Sequence, residues 1–121
     1  MSYDIDLADR IRGVIQGLNL QADEHIGEKK MFGGLCFTLN EKMLVGVGKG
    51  ELMIRLAPSE FEEELTAGRV KPMDFTGKPL KGFAYVEPAA HASDAELLGW
   101  IDRSAAYVRQ NMLVKPRPPL H

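Results

Sequence analysis

Few residues of the chain are of a type that performs nucleophilic chemistry. Cys36 is the single cysteine, and it stands between Leu35 and Phe37 in an alternating apolar run with no histidine nearby. A thiol nucleophile needs an adjacent base that is itself held in place, whereas buried cysteines in such runs usually act as small apolar side chains. We therefore expect no catalytic role for Cys36.

Residues that could hold a metal ion are scattered. His25, His91 and His121 are far apart, and the sequence has no HxxxH, HxH or CxxC spacing. A metal site requires several such groups to converge. We expect surface histidines, no metal site and no cofactor.

Two further patterns look like chemical motifs but stand in the wrong context. Gly46, Gly48 and Gly50 lie within and after a predicted strand that leads into another strand, whereas a dinucleotide fingerprint opens a helix. The glutamates Glu60 and Glu62–Glu64 lie on a short predicted helix. Acid–base catalysis would need one carboxylate of a pair to be desolvated, and we expect these to form a solvated acidic face.

Basic residues offer a different kind of site. Arg55, Lys78 and Lys81 could surround the pair Gly33 and Gly34, which would make the chain a small-molecule or anion-binding domain, or an enzyme. The formal net charge is −2 and no RNP-like motif is present, so we do not expect direct nucleic-acid binding. A nucleic-acid-associated transcription cofactor stays open as a further alternative.

Length and composition indicate one small globular domain. The chain has 121 residues, of which 45% are apolar and 26% charged, which suits a single core and a soluble surface. No apolar run approaches the roughly 18 residues that cross a bilayer, and the acidic N-terminus does not read as a signal peptide. We expect a cytoplasmic protein without membrane contact, with a domain over 1–112 and a flexible Pro-rich tail over 113–121.

Periodicity predicts the elements that must position these residues. Apolar residues that recur at steps of three and four indicate helices, and alternation of apolar and polar residues indicates strands. The expected helices are 4–18, 59–67 and 93–112. The expected strands are 24–31, 35–39, 43–47, 52–56 and 82–87, with a turn-rich stretch at 70–81. Phe61 and Leu65 should be the inward pair of the second helix, and Ser93 with Glu96 forms a capping box for the third. This order predicts an α+β fold in two layers, an antiparallel sheet of about five strands with helices mainly on one face.

The second face of that sheet is mixed in character. It should present Cys36, Thr38, Gly46, Met53 and Arg55, and no predicted helix covers it. An open face of this kind can pair with another chain. We expect self-association, as a homodimer, or a protein partner, and a non-enzymatic regulatory or interaction role.

The segment Met31-Phe32-Gly33-Gly34 opens the predicted hairpin. Two adjacent glycines weaken a strand unless a bulge, a positive φ angle or a close backbone contact requires them. The segment either shapes the hairpin or contacts a ligand, and we favour the first interpretation. These four residues, together with Arg55 and Lys78, are the candidate binding positions.

The same segment carries a family resemblance. Further motifs follow it in order: Phe37, Lys42-Met43, Phe75 before Gly77-Lys78, Tyr85-Val86-x-Pro88 and Leu98-x-Trp100-Ile101. Together with these motifs, the sequence resembles the N-terminal domain of the TfoX/Sxy competence regulators over roughly residues 5–110. The resemblance implies a two-layer fold like that of secretion chaperones and a regulatory role exerted through partners. It extends only to the first domain of those regulators, so we expect a stand-alone N-terminal-type domain.

Overall fold

The computed structural model describes residues 4–31, 33–48, 50–75 and 78–112, with the side chains of 74–75 and 78–81 left out. In these ranges the chain forms three α-helices, one short 3-10 helix at Pro88–His91 and six strands. The helices are α1 (Ile5–Ile15), α2 (Pro58–Ala67) and α3 (Asp94–Asn111). The strands are β1 (Ile26–Met31), β2 (Gly34–Leu39), β3 (Lys42–Val47), β4 (Leu52–Arg55), β5 (Val70–Phe75) and β6 (Lys78–Val86).

The strands form one antiparallel sheet in the order β1-β2-β3-β4-β6-β5. The α+β prediction is confirmed, although the sheet has six strands rather than about five. The additional strand comes from residues 70–81. The prediction of a turn-rich stretch there is wrong, because β5 and the start of β6 lie in it. Pro72 is tolerated because β5 is an edge strand with a register shift between Pro72 and Asp74.

The main core lies between the sheet and the helices. Alternating residues of β2, β3 and β4 pack there with Ile11 and Ile15 of α1 and with Ile101 and Ala105 of α3. A bulge leaves Leu44 without a paired residue on β2, because Phe37 pairs with Val45 and the next residue, Thr38, pairs with Met43. The Ser104 hydroxyl of α3 donates to the Leu44 carbonyl over 2.9 Å, so the sheet and α3 are joined by a buried hydrogen bond at this bulge.

Local signals end the helices as expected. Ser93 and Glu96 form the predicted capping box of α3, with both reciprocal hydrogen bonds present. Gly68 adopts a left-handed conformation with φ of 78° and terminates α2. Asp4 caps α1 by accepting a hydrogen bond from the backbone N–H of Leu7, and the helix is shorter than the predicted span 4–18.

Candidate functional site

Met31, Gly33 and Gly34 lie at the junction of β1 and β2. Met31 and Gly34 are the last paired positions of the two strands. Gly33 has a φ of +73°, which favours glycine. A Cβ atom on Gly34 would overlap the carbonyl oxygen of Val47 in the neighbouring strand. Gly33 is therefore explained by its backbone conformation and Gly34 by its close contact with β3, while Phe32 lies outside the described residues.

Arg55 is held within the sheet and does not extend toward this turn. Its Nε donates to the Met43 carbonyl over 2.7 Å, and its guanidinium lies 4.6 Å from the centre of the Phe83 ring. Burial lowers the pKa of this guanidinium. Leu52, at the start of β4, pairs with Val47 of β3. Arg55 lies at the opposite end of β4, so the candidate residues on β1, β2 and β4 do not form one site.

Lys78 pairs in register with Phe75 at the start of β6. Its side chain, like that of Lys81, lies outside the described side chains. The predicted approach of Lys78 and Lys81 to the glycine pair stays a prediction, whereas Arg55 contacts Met43 and Phe83 elsewhere in the sheet.

The sheet face opposite the main core is filled with sulfur-containing side chains. Cys36, Met43, Met53 and Met73 are buried together there, at most 2% exposed. Gly46 lies beneath them, since a Cβ there would come within 3.1 Å of the Met53 Cε and closer still to the Cys36 Sγ. The expectation of an open mixed face is wrong for the described residues, because the sulfur-containing side chains are buried, with Met31, Phe83 and Tyr85 packed against them.

Burial has a chemical consequence for the thiol. It raises the pKa of Cys36 to about 11, so the side chain is a neutral thiol at physiological pH. The thiolate is the reactive form. Cys36 is therefore a packing residue, as its apolar neighbours predict.

The acidic run on α2 is only partly solvated. Glu64 has a side chain only 6% exposed, and it receives hydrogen bonds from Arg69 and from Arg103 of α3. Burial raises the pKa of the Glu64 carboxyl, but the two guanidinium groups outweigh burial and hold it below its usual value. Leu65, the expected inward residue, is 36% exposed. The carboxylate of Glu64 takes the inward position because α3 supplies a paired cation.

Histidine 91 also departs from its expected surface position. His91 is buried at the end of the 3-10 helix, and its Nδ1 has no hydrogen-bond partner among the described residues. Burial lowers its pKa, so it is neutral near pH 7. Within the described ranges, no group of three or more His, Cys, Asp or Glu could hold a metal ion.

An open groove of about 470 Å³ runs between α1 and the N-terminal half of α3. Its floor on α1 includes Gly13, where a Cβ would meet no atom within 4 Å. At Gly17 a Cβ would come within 3.2 Å of the Leu98 side chain, so this glycine is explained by packing against α3. We call this surface the α1–α3 groove; it is lined by Asp9, Arg10, Gly13, Val14, Gly17, Asp94, Ala95 and Leu98.

A second cavity, of about 320 Å³, lies between the C-terminal part of α1 and β1. Ile15, Leu18 and Phe37 supply apolar wall, and the Arg12–Glu28 ion pair lies at its side. The Arg12 guanidinium is bound by both Glu28 oxygens, over 2.8 and 2.9 Å, and holds the pKa of that carboxyl below its usual value. We call this the α1–β1 cavity.

Comparison with known protein families matches residues 19–107 of the 121 to the TfoX N-terminal domain. The chain belongs to the TfoX N-terminal domain family. A comparison with curated proteins finds no match. In the described part of this TfoX N-terminal domain, no helix is long and apolar enough to cross a membrane.

The two depressions beside α1 of this TfoX N-terminal domain were not predicted from the sequence. Helix α1 precedes the matched range, and it contributes Arg10 to the groove and Arg12 to the cavity. A signal was present for the groove, since Gly13 within α1 weakens the helix and calls for an explanation. No local signal pairs Arg12 with Glu28, because the two residues are on different elements.

Proposed function

We propose that this TfoX N-terminal domain is a non-enzymatic protein-interaction module with a regulatory role, and that its α1–α3 groove docks a second copy of the chain. The regulatory part draws support from the family, which is known from competence-related proteins. The proposed setting is the cytoplasm, because the single cysteine is buried as a free thiol. The α1–α3 groove is the observation on which the interaction role depends.

The shape of the groove suits an approaching helix. Gly13 exposes the backbone of α1 with no neighbouring atom above it, and small residues allow two helices to approach closely. Val14 and Leu98 add apolar wall. Amphipathic helices commonly dock in grooves of this kind.

The charges at one end of the groove are self-complementary. Arg10 donates from its Nε to Asp94 over 2.8 Å, while its buried Nη2 has no partner among the described residues. Asp9 and Asp94 are both well exposed beside it. In a two-fold dimer the same patch meets itself, so the exposed Asp9 and Asp94 of one copy can approach the partly exposed Arg10 side chain of the other.

Apolar residues flank the groove helix at both ends. Ile5 at the start of α1 is 39% exposed, and Leu20 beyond its end is 44% exposed. In an antiparallel α1–α1 contact centred near Gly13, Ile5 of each copy lies about two helical turns from the centre. Such a contact would bury part of the exposed Ile5 side chain of each copy.

Sedimentation equilibrium from micromolar to millimolar concentration tests the proposal. We expect a reversible dimer that Gly13→Gln weakens by at least about tenfold, because the new side chain fills the groove floor. Gly99→Gln is the matched control, since Gly99 is also a helical glycine with no atom within 4 Å of an added Cβ and does not line the groove. A monomer at every concentration, or equal effects of both variants, would refute the dimer.

A further inference from the structure

We infer that the α1–β1 cavity is a binding site for a small amphipathic monocarboxylate, an aliphatic or aromatic acid whose carboxylate takes the place of Glu28 on Arg12. This goes beyond the proposed interaction role and does not depend on it. The two sites use different faces of α1. The cavity takes Arg12, Ile15 and Gln16, whereas the groove takes other residues of that helix.

The cavity has the size and lining of a small-molecule site. Its volume of about 320 Å³ falls at the lower end of the range of roughly 300–1,000 Å³ that holds small ligands. Its floor is apolar, since it is lined by Ile15, Leu18 and Phe37, which are each at most 5% exposed. Leu20, which is largely exposed, lies at the rim.

The polar groups of the cavity are concentrated in one ion pair. Arg12 uses its Nε and Nη2 on the two oxygens of Glu28, and its guanidinium is 5.9 Å from the centre of the Phe37 ring. This bidentate arrangement shows that the guanidinium is already oriented for a planar carboxylate. Its Nη1 donates to Asp9, which anchors the guanidinium from the other side.

Exchange of one carboxylate for another is energetically accessible. The Glu28 side chain is 40% exposed and the Arg12 side chain 42% exposed, and ion pairs between such exposed groups contribute little to stability. Glu28 can therefore turn into solvent at small cost, while the incoming ligand also buries an apolar body. An anion without an apolar body gains nothing over Glu28, and a neutral apolar molecule leaves the guanidinium paired with Glu28.

Octanoate is a suitable probe, with octanol as its neutral counterpart, in a ¹H–¹⁵N correlation NMR titration of the full chain. We expect octanoate to shift the amides of Ile15, Leu18, Ile26 and Phe37 saturably, and octanol to bind more weakly. Arg12→Gln should lower octanoate affinity by about two- to fivefold, the factor expected for an ion pair between exposed groups.

Two further variants make the result specific. Glu28→Gln should strengthen octanoate binding, because it removes the competing carboxylate, whereas a merely structural ion pair would predict no gain. Lys29→Gln removes a cation from the same strand but does not line the cavity, and it should leave affinity unchanged. Unsaturable shifts, shifts elsewhere, equal binding of octanol, unchanged affinity in Arg12→Gln or weaker binding in Glu28→Gln would each overturn the assignment. Spectral dispersion of each variant reports whether it is folded.

Discussion

Replacing Glu64 with glutamine should destabilise the domain by an amount that depends on pH. The carboxylate is almost fully buried and accepts a 2.5 Å hydrogen bond from Arg103 and a 2.7 Å hydrogen bond from the Nε of Arg69. Glutamine has nearly the same shape but keeps only one acceptor oxygen, and its amide group would face a guanidinium. The substitution therefore removes charge and one acceptor while keeping the packing.

The expected loss of folding stability depends on the contacts that each arginine keeps in the Glu64→Gln variant. Arg103 keeps its 2.6 Å hydrogen bond to Glu60, and Arg69 is 56% exposed and can turn to solvent. The loss is thus below the ~3–5 kcal/mol typical of breaking a fully buried pair. It is closer to one charged hydrogen bond, so we expect about 2 kcal/mol at pH 7. For a domain of this size that corresponds to a fall in Tm of roughly 8 °C.

The pH dependence has a definite sign. The folded-state pKa of Glu64 is lowered from its ordinary value of 4.5, so its stabilisation is present above that value and is lost as pH falls through the lowered pKa. Glu64→Gln lacks this contribution at every pH. The difference in unfolding free energy between the two proteins should therefore shrink toward zero in acid.

Urea unfolding at pH 7 and at about pH 3 measures this difference. Glu63→Gln, one residue away on the exposed side of α2, is the control and should change stability by less than about 0.5 kcal/mol. The reasoning is refuted if Glu64→Gln costs no more than Glu63→Gln at pH 7. A cost that is equal at both pH values would refute the ionic explanation.

Three other outcomes can be measured with the same unfolding and labelling methods. Gly34→Ala should destabilise the domain by at least about 1–3 kcal/mol because of overlap with the Val47 carbonyl, whereas Gly48→Ala, where a Cβ meets nothing within 4 Å, should cost far less; equal costs would contradict the close contact. Cys36 should react with iodoacetamide many times more slowly in the native protein than in urea, since its thiol is buried and its pKa is about 11, and rapid native labelling would contradict its burial. Ser93→Ala should cost about 1 kcal/mol through loss of the capping box, and an unchanged urea midpoint would show that the cap contributes nothing.

Helix α1 connects the two proposals physically. Its Gly13 side faces the α1–α3 groove, and its Arg12 side faces the α1–β1 cavity. Ile11 and Ile15 are buried in the core on the same helix. Because the helix is packed on its core face and open on its two flanks, it has one surface for each kind of contact.

Much of the fold was predictable from sequence because its signals are local. Alternation in β2, β3 and β4 follows from side chains pointing to opposite faces of a strand, and it needs no knowledge of distant residues. The capping box at Ser93 and the left-handed Gly68 are likewise decided within a few residues. The family was also readable, because Met31–Gly34 and the later motifs occur in order along the chain.

Only the tertiary structure decided the features that depend on distant partners. Pro72 can lie in a strand because that strand is at the edge of the sheet. Glu64 can be buried because Arg103, on another helix, neutralises it. The face around Cys36 is closed because side chains from several strands form one buried cluster with it. Periodicity reports which side of an element is apolar, whereas packing between elements determines where a charge can be buried and where a surface stays open. The groove and the cavity beside α1 are products of that packing, so the sequence alone did not reveal them.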